Sequence, residues 1–88
     1  MRHVNITVFG EVQGVGFRYF ARAAAESMGV RGFVRNEPDG SVYLEAEGEP
    51  HTVEKFVAWC RKGPPTAKVT RIELREAAAA GLPSFEVR

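Results

Sequence analysis

Cysteine is nearly absent from this chain: Cys60 is the only one among 88 residues, so no internal disulfide can form, and a reducing, cytoplasmic setting is the default expectation. Histidine is scarce too. His3 and His51 stand far apart with no ligand spacing, and neither is assigned to a metal or to acid–base work. No apolar run is long enough to cross a bilayer or to serve as a secretory signal, which argues against a membrane partner. Charge of one sign is not in excess: 12 Lys and Arg stand against 11 Asp and Glu, a formal net charge of +1. That balance excludes the basic surface by which non-specific nucleic-acid binders hold a backbone, so any bound anion has to be captured locally. Linkers, repeats and low-complexity blocks are missing as well. The length suits a single domain over residues 1–88 with one two-layer core, and a monomer is the default state for a chain so small.

What is present is clear hydrophobic periodicity. His3 to Phe9 alternates, with Val4, Ile6 and Val8 on one side, and predicts a strand. After a glycine-rich turn, Tyr19 to Met28 predicts a helix with Phe20, Ala21, Ala24 and Met28 along its apolar side and Arg22 paired with Glu26 opposite. Gly29 stops it. Val30–Asn36 and Ser41–Glu47 predict a hairpin across the turn Glu37-Pro38-Asp39-Gly40, with Tyr43, Glu45 and Glu47 on a solvated face. Val53, Phe56, Val57 and Cys60 fall at helical spacing in a segment ending near Lys62, where Gly63-Pro64-Pro65 breaks the helix. On that stripe the Cys60 thiol is expected to be packed and inert. Ala67 to Glu76 predicts a fourth strand in which Val69 is out of phase with Ile72 and Leu74, a sign of a bulge. A loop over 77–83 leads to a short last strand around Phe85 and Val87.

The order strand, helix, strand, strand, helix, strand predicts an α+β fold of the ferredoxin-like, split βαβ type. It consists of an antiparallel sheet with two helices on one face, plus a short extra C-terminal strand. Such a fold hosts many functions, so the chemistry has to come from particular residues.

The segment Gly10-Glu11-Val12-Gln13-Gly14-Val15-Gly16-Phe17-Arg18 joins the end of a strand to the start of a helix. Helix N-termini attract anions through unpaired N–H groups and the macrodipole, and a guanidinium at Arg18 adds a planar fork suited to phosphate. The reading is a phosphate cradle. It is not a nucleotide-binding P-loop, because Phe17, Arg18 and Tyr19 stand where that loop needs a lysine and a hydroxyl, and the dinucleotide fingerprint would need a glycine at position 19. Phe9 and Phe17 are candidates to line a pocket beside the cradle, and Arg22, Arg31 and Arg35 to add positive potential at its mouth. Asn36, just before the hairpin turn, reads on its own as a turn residue.

Taken together, Val12-Gln13-Gly14-Val15-Gly16-Phe17-Arg18 and Asn36, eighteen residues after the arginine, resemble the acylphosphatase family. The similarity continues through Ala25, Gly29, Gly32, Val34, Asp39-Gly40, Gly48, the Gly63-Pro64-Pro65 break and Phe85. The resemblance implies a small cytosolic enzyme that hydrolyses the carboxyl–phosphate anhydride of acyl phosphates without metal or organic cofactor. It implies that backbone groups of Gln13, Gly14, Val15, Gly16, Phe17 and Arg18 bind the phosphoryl oxygens, that the Arg18 side chain assists, and that Asn36 orients the attacking water. Two other readings stand beside it. One is a non-catalytic module of the same fold that holds a phosphorylated ligand, for which a water-orienting Asn36 would be superfluous. The other is the acylphosphatase-like domain that begins certain large carbamoyl-transfer proteins of hydrogenase maturation; the end at Arg88, just after the last strand, favours the free-standing enzyme over it.

Overall fold

Alternation turns directly into layers here, because the apolar members of each strand fall on the one face that the helices cover. The structure, a computed structural model, describes all 88 residues. Its elements are β1 (Arg2–Glu11), α1 (Phe17–Met28), β2 (Arg31–Asn36), β3 (Val42–Gly48), α2 (Pro50–Lys62), β4 (Lys68–Ala77) and β5 (Phe85–Val87). They build a five-stranded sheet in the order β4-β1-β3-β2-β5. Val4, Ile6 and Val8 of β1 lie opposite Ala46, Leu44 and Val42 of β3, and all six are fully buried. Phe17, Ala21 and Ala25 from α1, with Val53, Phe56, Val57 and Cys60 from α2, close the other side of one 17-residue core cluster. No helix is long and apolar enough to cross a membrane.

The predicted bulge is present. Pairing of β1 with β4 runs Phe9 opposite Arg71 and then Gly10 opposite Val69, which leaves Thr70 as the extra residue and brings Val69 onto the core.

Four expectations need correction. The sheet is mixed rather than wholly antiparallel, because β5 runs parallel to β2, with Gly32, Phe33 and Val34 beside Phe85, Glu86 and Val87. Helix α1 starts two residues early, at Phe17, which joins Ala21 and Ala25 as its buried stripe, while Ala24 and Met28 pack beside it as expected. Phe20, unlike the other expected members of the stripe, is turned out and left 45% exposed. The anticipated Arg22–Glu26 pair is not among the ion pairs formed.

Glu47 is the fourth correction: it does lie on the face away from the helices, yet it is only 1% exposed. The loop after β4 folds over it, so that the N–H groups of Ala80 and Gly81 donate to its carboxylate at 3.0 and 2.8 Å. His3, far from standing alone, lies within 3.3 Å of Glu47 and 2.7 Å of Glu45, and Tyr43 Oη donates to Glu45 at 2.7 Å. Burial by itself would raise the Glu47 pKa, but the N–H groups of Gly81 and Ala80, with His3 and Leu82, outweigh it and hold it near 2. A carboxylate depressed in this way stabilises the fold above its unfolded value near 4.5, and that contribution is lost as pH falls toward 2. Thermal unfolding of the wild type is therefore expected to lose midpoint temperature more steeply over this window than that of Glu47→Gln. Parallel pH profiles for the two proteins would remove Glu47 from the acid response.

Candidate active site

Two glycines shape the turn between β1 and α1. Gly14 has φ 74° and Gly16, the N-cap of α1, has φ 77° and ψ 15°, both left-handed. A Cβ on Gly14 would touch nothing, and one on Gly16 would meet only the Phe20 ring at 3.6 Å. Backbone conformation, not space, thus demands glycine here, since an L-residue in that region costs about 1–2 kcal/mol. Left-handed residues set into such a turn curl successive N–H groups toward one side, the geometry of an anion nest.

None of the backbone N–H groups from Gln13 to Arg18 donates to an acceptor in the protein, and the first bonds of α1 are those of Tyr19 and Phe20 to the Gly16 oxygen at 3.1 Å. A glycine N-cap offers no side chain to satisfy them. Six consecutive donors are therefore free at the positive end of a helix.

A small cavity of about 100 Å³ opens at this turn. Gly14, Gly16, Phe17 and Arg18 line it from the cradle and Asn36 from β2, so both halves of the sequence signal meet there. Val12, the first residue of the motif stretch, and Tyr19, not anticipated from the sequence, complete the lining. Gln13 and Val15 belong to the turn without lining the cavity, and each anchors one flank of it. Gln13 Nε2 donates to the Glu37 and Ser41 oxygens, both at 2.8 Å, and the Val15 oxygen accepts from Thr66 Oγ1 at 2.7 Å. Since Glu37 follows Asn36 directly, the Gln13 amide ties the cradle to the turn that carries the asparagine. Asp39 stiffens the same turn by accepting from the Ser41 hydroxyl and N–H, which hold its carboxyl below the usual range.

Asn36 pairs with Val42 in the β2–β3 ladder, so it continues the row Gly32, Val34 on the helix-facing side. An amide thus occupies a register position where the pattern of the strand would put an apolar side chain. Gln13, Glu37, Asp39 and Ser41 around it are engaged in hydrogen bonds; the Asn36 amide has no partner within the protein.

Arg18 is half-buried, forms no ion pair, and donates from Nη1 to the main-chain oxygen of Arg88 at 3.2 Å. That oxygen belongs to the residue just after β5, whose N–H is itself held by the Val34 oxygen at 2.8 Å. Of the three arginines expected near the mouth, Arg22, Arg31 and Arg35, none lines the cavity, and Arg35 is partly neutralised by Glu37 at 3.2 Å and lies over the Tyr43 ring. Cys60 is fully buried and burial pushes its thiol pKa up, as expected of an inert packed residue. No group of three or more His, Cys, Asp and Glu side chains is arranged to hold a metal ion. Larger depressions lie on the open sheet face and beside α2, but neither presents a run of free N–H groups.

Comparison with known proteins identifies the family. The acylphosphatase family matches residues 4–87. An acylphosphatase of Nocardioides sp. is 51% identical over 85 residues, which cover 97% of this chain and 86% of that protein. The crystal structure of acylphosphatase from Bacillus subtilis superposes with a TM-score of 0.96 at 38% identity, covering 100% of this chain and 99% of the other. T. kodakarensis HypF carries a similar unit, with a TM-score of 0.86 and 33% identity over 100% of this chain but only 12% of that protein. With the match spanning both the cradle and Asn36, the chain belongs to the acylphosphatase family.

Proposed function

We propose that this chain hydrolyses acyl phosphates to a carboxylate and inorganic phosphate at the cradle formed by Gln13 to Arg18, with Asn36 orienting the water. The observation that carries the reading is the run of six free backbone N–H groups in a turn whose Gly14, Gly16, Phe17 and Arg18 line a cavity shared with Asn36. A water's share of liquid volume is about 30 Å³, so a cavity of about 100 Å³ suits a phosphoryl group with its attacking water. The N–H groups of the turn bind the phosphoryl oxygens, and the Arg18 guanidinium adds charge and a two-pronged donor.

The chemistry asks little more of the protein. Phosphoryl transfer passes through a loose transition state in which positioning and charge stabilisation dominate. Asn36 Oδ1 accepts a hydrogen bond from the water while its Nδ2 fixes the orientation. The water oxygen bonds to phosphorus as the bond to the acyl oxygen breaks. The carboxylate leaves with that electron pair and needs no proton, so a general acid is dispensable, and the proton of the water passes to a phosphate oxygen. No residue here has to titrate for a turnover to be completed, and the reading requires neither metal nor organic cofactor. The near-neutral charge and single buried thiol suit a small-molecule enzyme acting as a monomer in a reducing cytoplasm.

The test is hydrolysis of an aromatic acyl phosphate by the purified protein in the presence of excess chelator. Undiminished turnover is expected. Folded protein that binds inorganic phosphate yet turns nothing over would replace this reading with that of a phosphate-binding module.

A further inference from the structure

We propose that the groove between Phe20, Trp59, Lys62 and the turn at Gly63–Ala67 is the acyl subsite and selects acyl phosphates whose acyl group is apolar and about the size of a phenyl ring; this rests on the phosphoryl site proposed above. The cradle cavity, at about 100 Å³, has no room for an acyl group beyond the anhydride oxygen. The acyl part must lie outside it, and in-line displacement fixes the direction. Water and leaving group occupy opposite sides of the phosphorus. Asn36, on the water side, is carried by β2; the groove is built on the connection from α2 to β4, the strand at the far edge of the sheet from β2. The carboxylate therefore departs toward the groove.

The two spaces share walls. A Cβ on Gly16 would lie 3.6 Å from the Phe20 ring, and one on Gly63 would lie 3.6 Å from Phe17, so cradle residues and groove residues are immediate neighbours. Thr66, within the same turn, holds the Val15 oxygen. The groove, about 480 Å³, falls within the range of small-molecule sites. Its apolar surface comes from Phe20, Trp59, Pro64, Pro65 and Ala67. Trp59 is a rigid wall: it stacks on Phe56 with centroids 6.0 Å apart and meets Phe17 edge-on at 5.6 Å. Phe20 is the exposed member, displaced from the core by the register of α1 and left where a substrate ring can reach it. Lys62, exposed and free of ion pairs, puts a cation at the rim, where negative charge develops on the departing carboxylate. The two phenylalanines first considered for this role are unsuited. Phe17 is buried in the core, and Phe9 lies under the Arg71 guanidinium at 3.9 Å.

The experiment measures kcat/KM for benzoyl phosphate and acetyl phosphate in the wild type, Phe20→Ala and Phe20→Leu. Comparing the benzoyl-to-acetyl ratio between variants removes any difference in the intrinsic reactivity of the two anhydrides. Phe20→Ala is expected to lower the ratio about 10-fold, mainly through KM for benzoyl phosphate, while Phe20→Leu, which keeps an apolar contact, restores most of it. Because Phe20 is exposed and alanine favours helix, both variants should fold. An unchanged ratio in Phe20→Ala, with both anhydrides still hydrolysed, would overturn the subsite and leave the proposed function standing. Failure of the folded wild type to hydrolyse either compound would overturn both.

Discussion

Replacing Arg18 with alanine is expected to lower kcat/KM for an acyl phosphate by about 1000-fold or more and to abolish measurable competition by inorganic phosphate. The magnitude follows from what the side chain adds to the N–H groups. Removing one neutral oxyanion donor typically costs on the order of 100- to 1000-fold, and a guanidinium brings both a full charge and a second prong. No other cation lines the cavity, so nothing replaces it. Folding should be indifferent to the change. Arg18 is half-buried, forms no ion pair, and its one side-chain hydrogen bond goes to the Arg88 oxygen, which water can satisfy. The thermal midpoint of the variant is expected to stay within about 4 °C of the wild type. Arg18→Lys keeps the charge without the fork and should fall between the two. Steady-state kinetics, phosphate inhibition and calorimetry on the three proteins decide the matter; activity within 10-fold of wild type in Arg18→Ala would remove Arg18 from the site.

The same arginine illustrates what could be read from the chain and what could not. Its place after a Gly-X-Gly turn at a strand-to-helix junction is local information, and the structure has it bordering the cavity with Gly14 and Gly16. Its hydrogen bond to Arg88 spans 70 positions and depends on the direction of β5. A three-residue strand carries no signal of direction, so the parallel pairing was invisible. The long strands were legible because period-2 alternation fixes which face is buried, and the phase break at Val69 foretold the bulge at Thr70. The same alternation misjudged Glu47. It placed the side chain on the correct face, but a loop more than 30 residues away covers that face, and no pattern within β3 encodes the cover. In α1 the error lay at the margin of the stripe: beginning the helix at Tyr19 omitted Phe17, so Phe20 was taken for the inner aromatic, whereas Phe17 is buried and Phe20 lines the groove. Gln13 shows the same limit on the site itself. Its place in the cradle was apparent, whereas the side chain that ties the cradle to the β2–β3 turn reaches 24 and 28 positions along the chain.

Asn36 was the least legible member of the site, since an asparagine before a turn has a sufficient local explanation, and its proposed role yields the sharpest division of labour. Asn36→Ala is expected to lower kcat about 100-fold or more while phosphate affinity changes less than about threefold. The asymmetry arises because, in the proposed scheme, the phosphoryl oxygens are held by the six N–H groups and Arg18, none of which the substitution touches. What is lost is the acceptor that aims the water, a contribution made on the way to the transition state rather than in the bound complex. The amide has no partner in the protein, so its removal leaves no hydrogen-bond group unpaired and the fold should be unaffected. Asn36→Asp separates orientation from charge. An aspartate retains an acceptor for the water but sets a negative group beside the phosphoryl oxygens, so phosphate affinity should fall with it although it is kept in the alanine variant. Measuring kcat and the phosphate inhibition constant for both variants beside Arg18→Ala tests the scheme as a whole. If Asn36→Ala lost phosphate affinity as completely as Arg18→Ala, the asparagine would be a phosphate ligand, and the attacking water would need another holder.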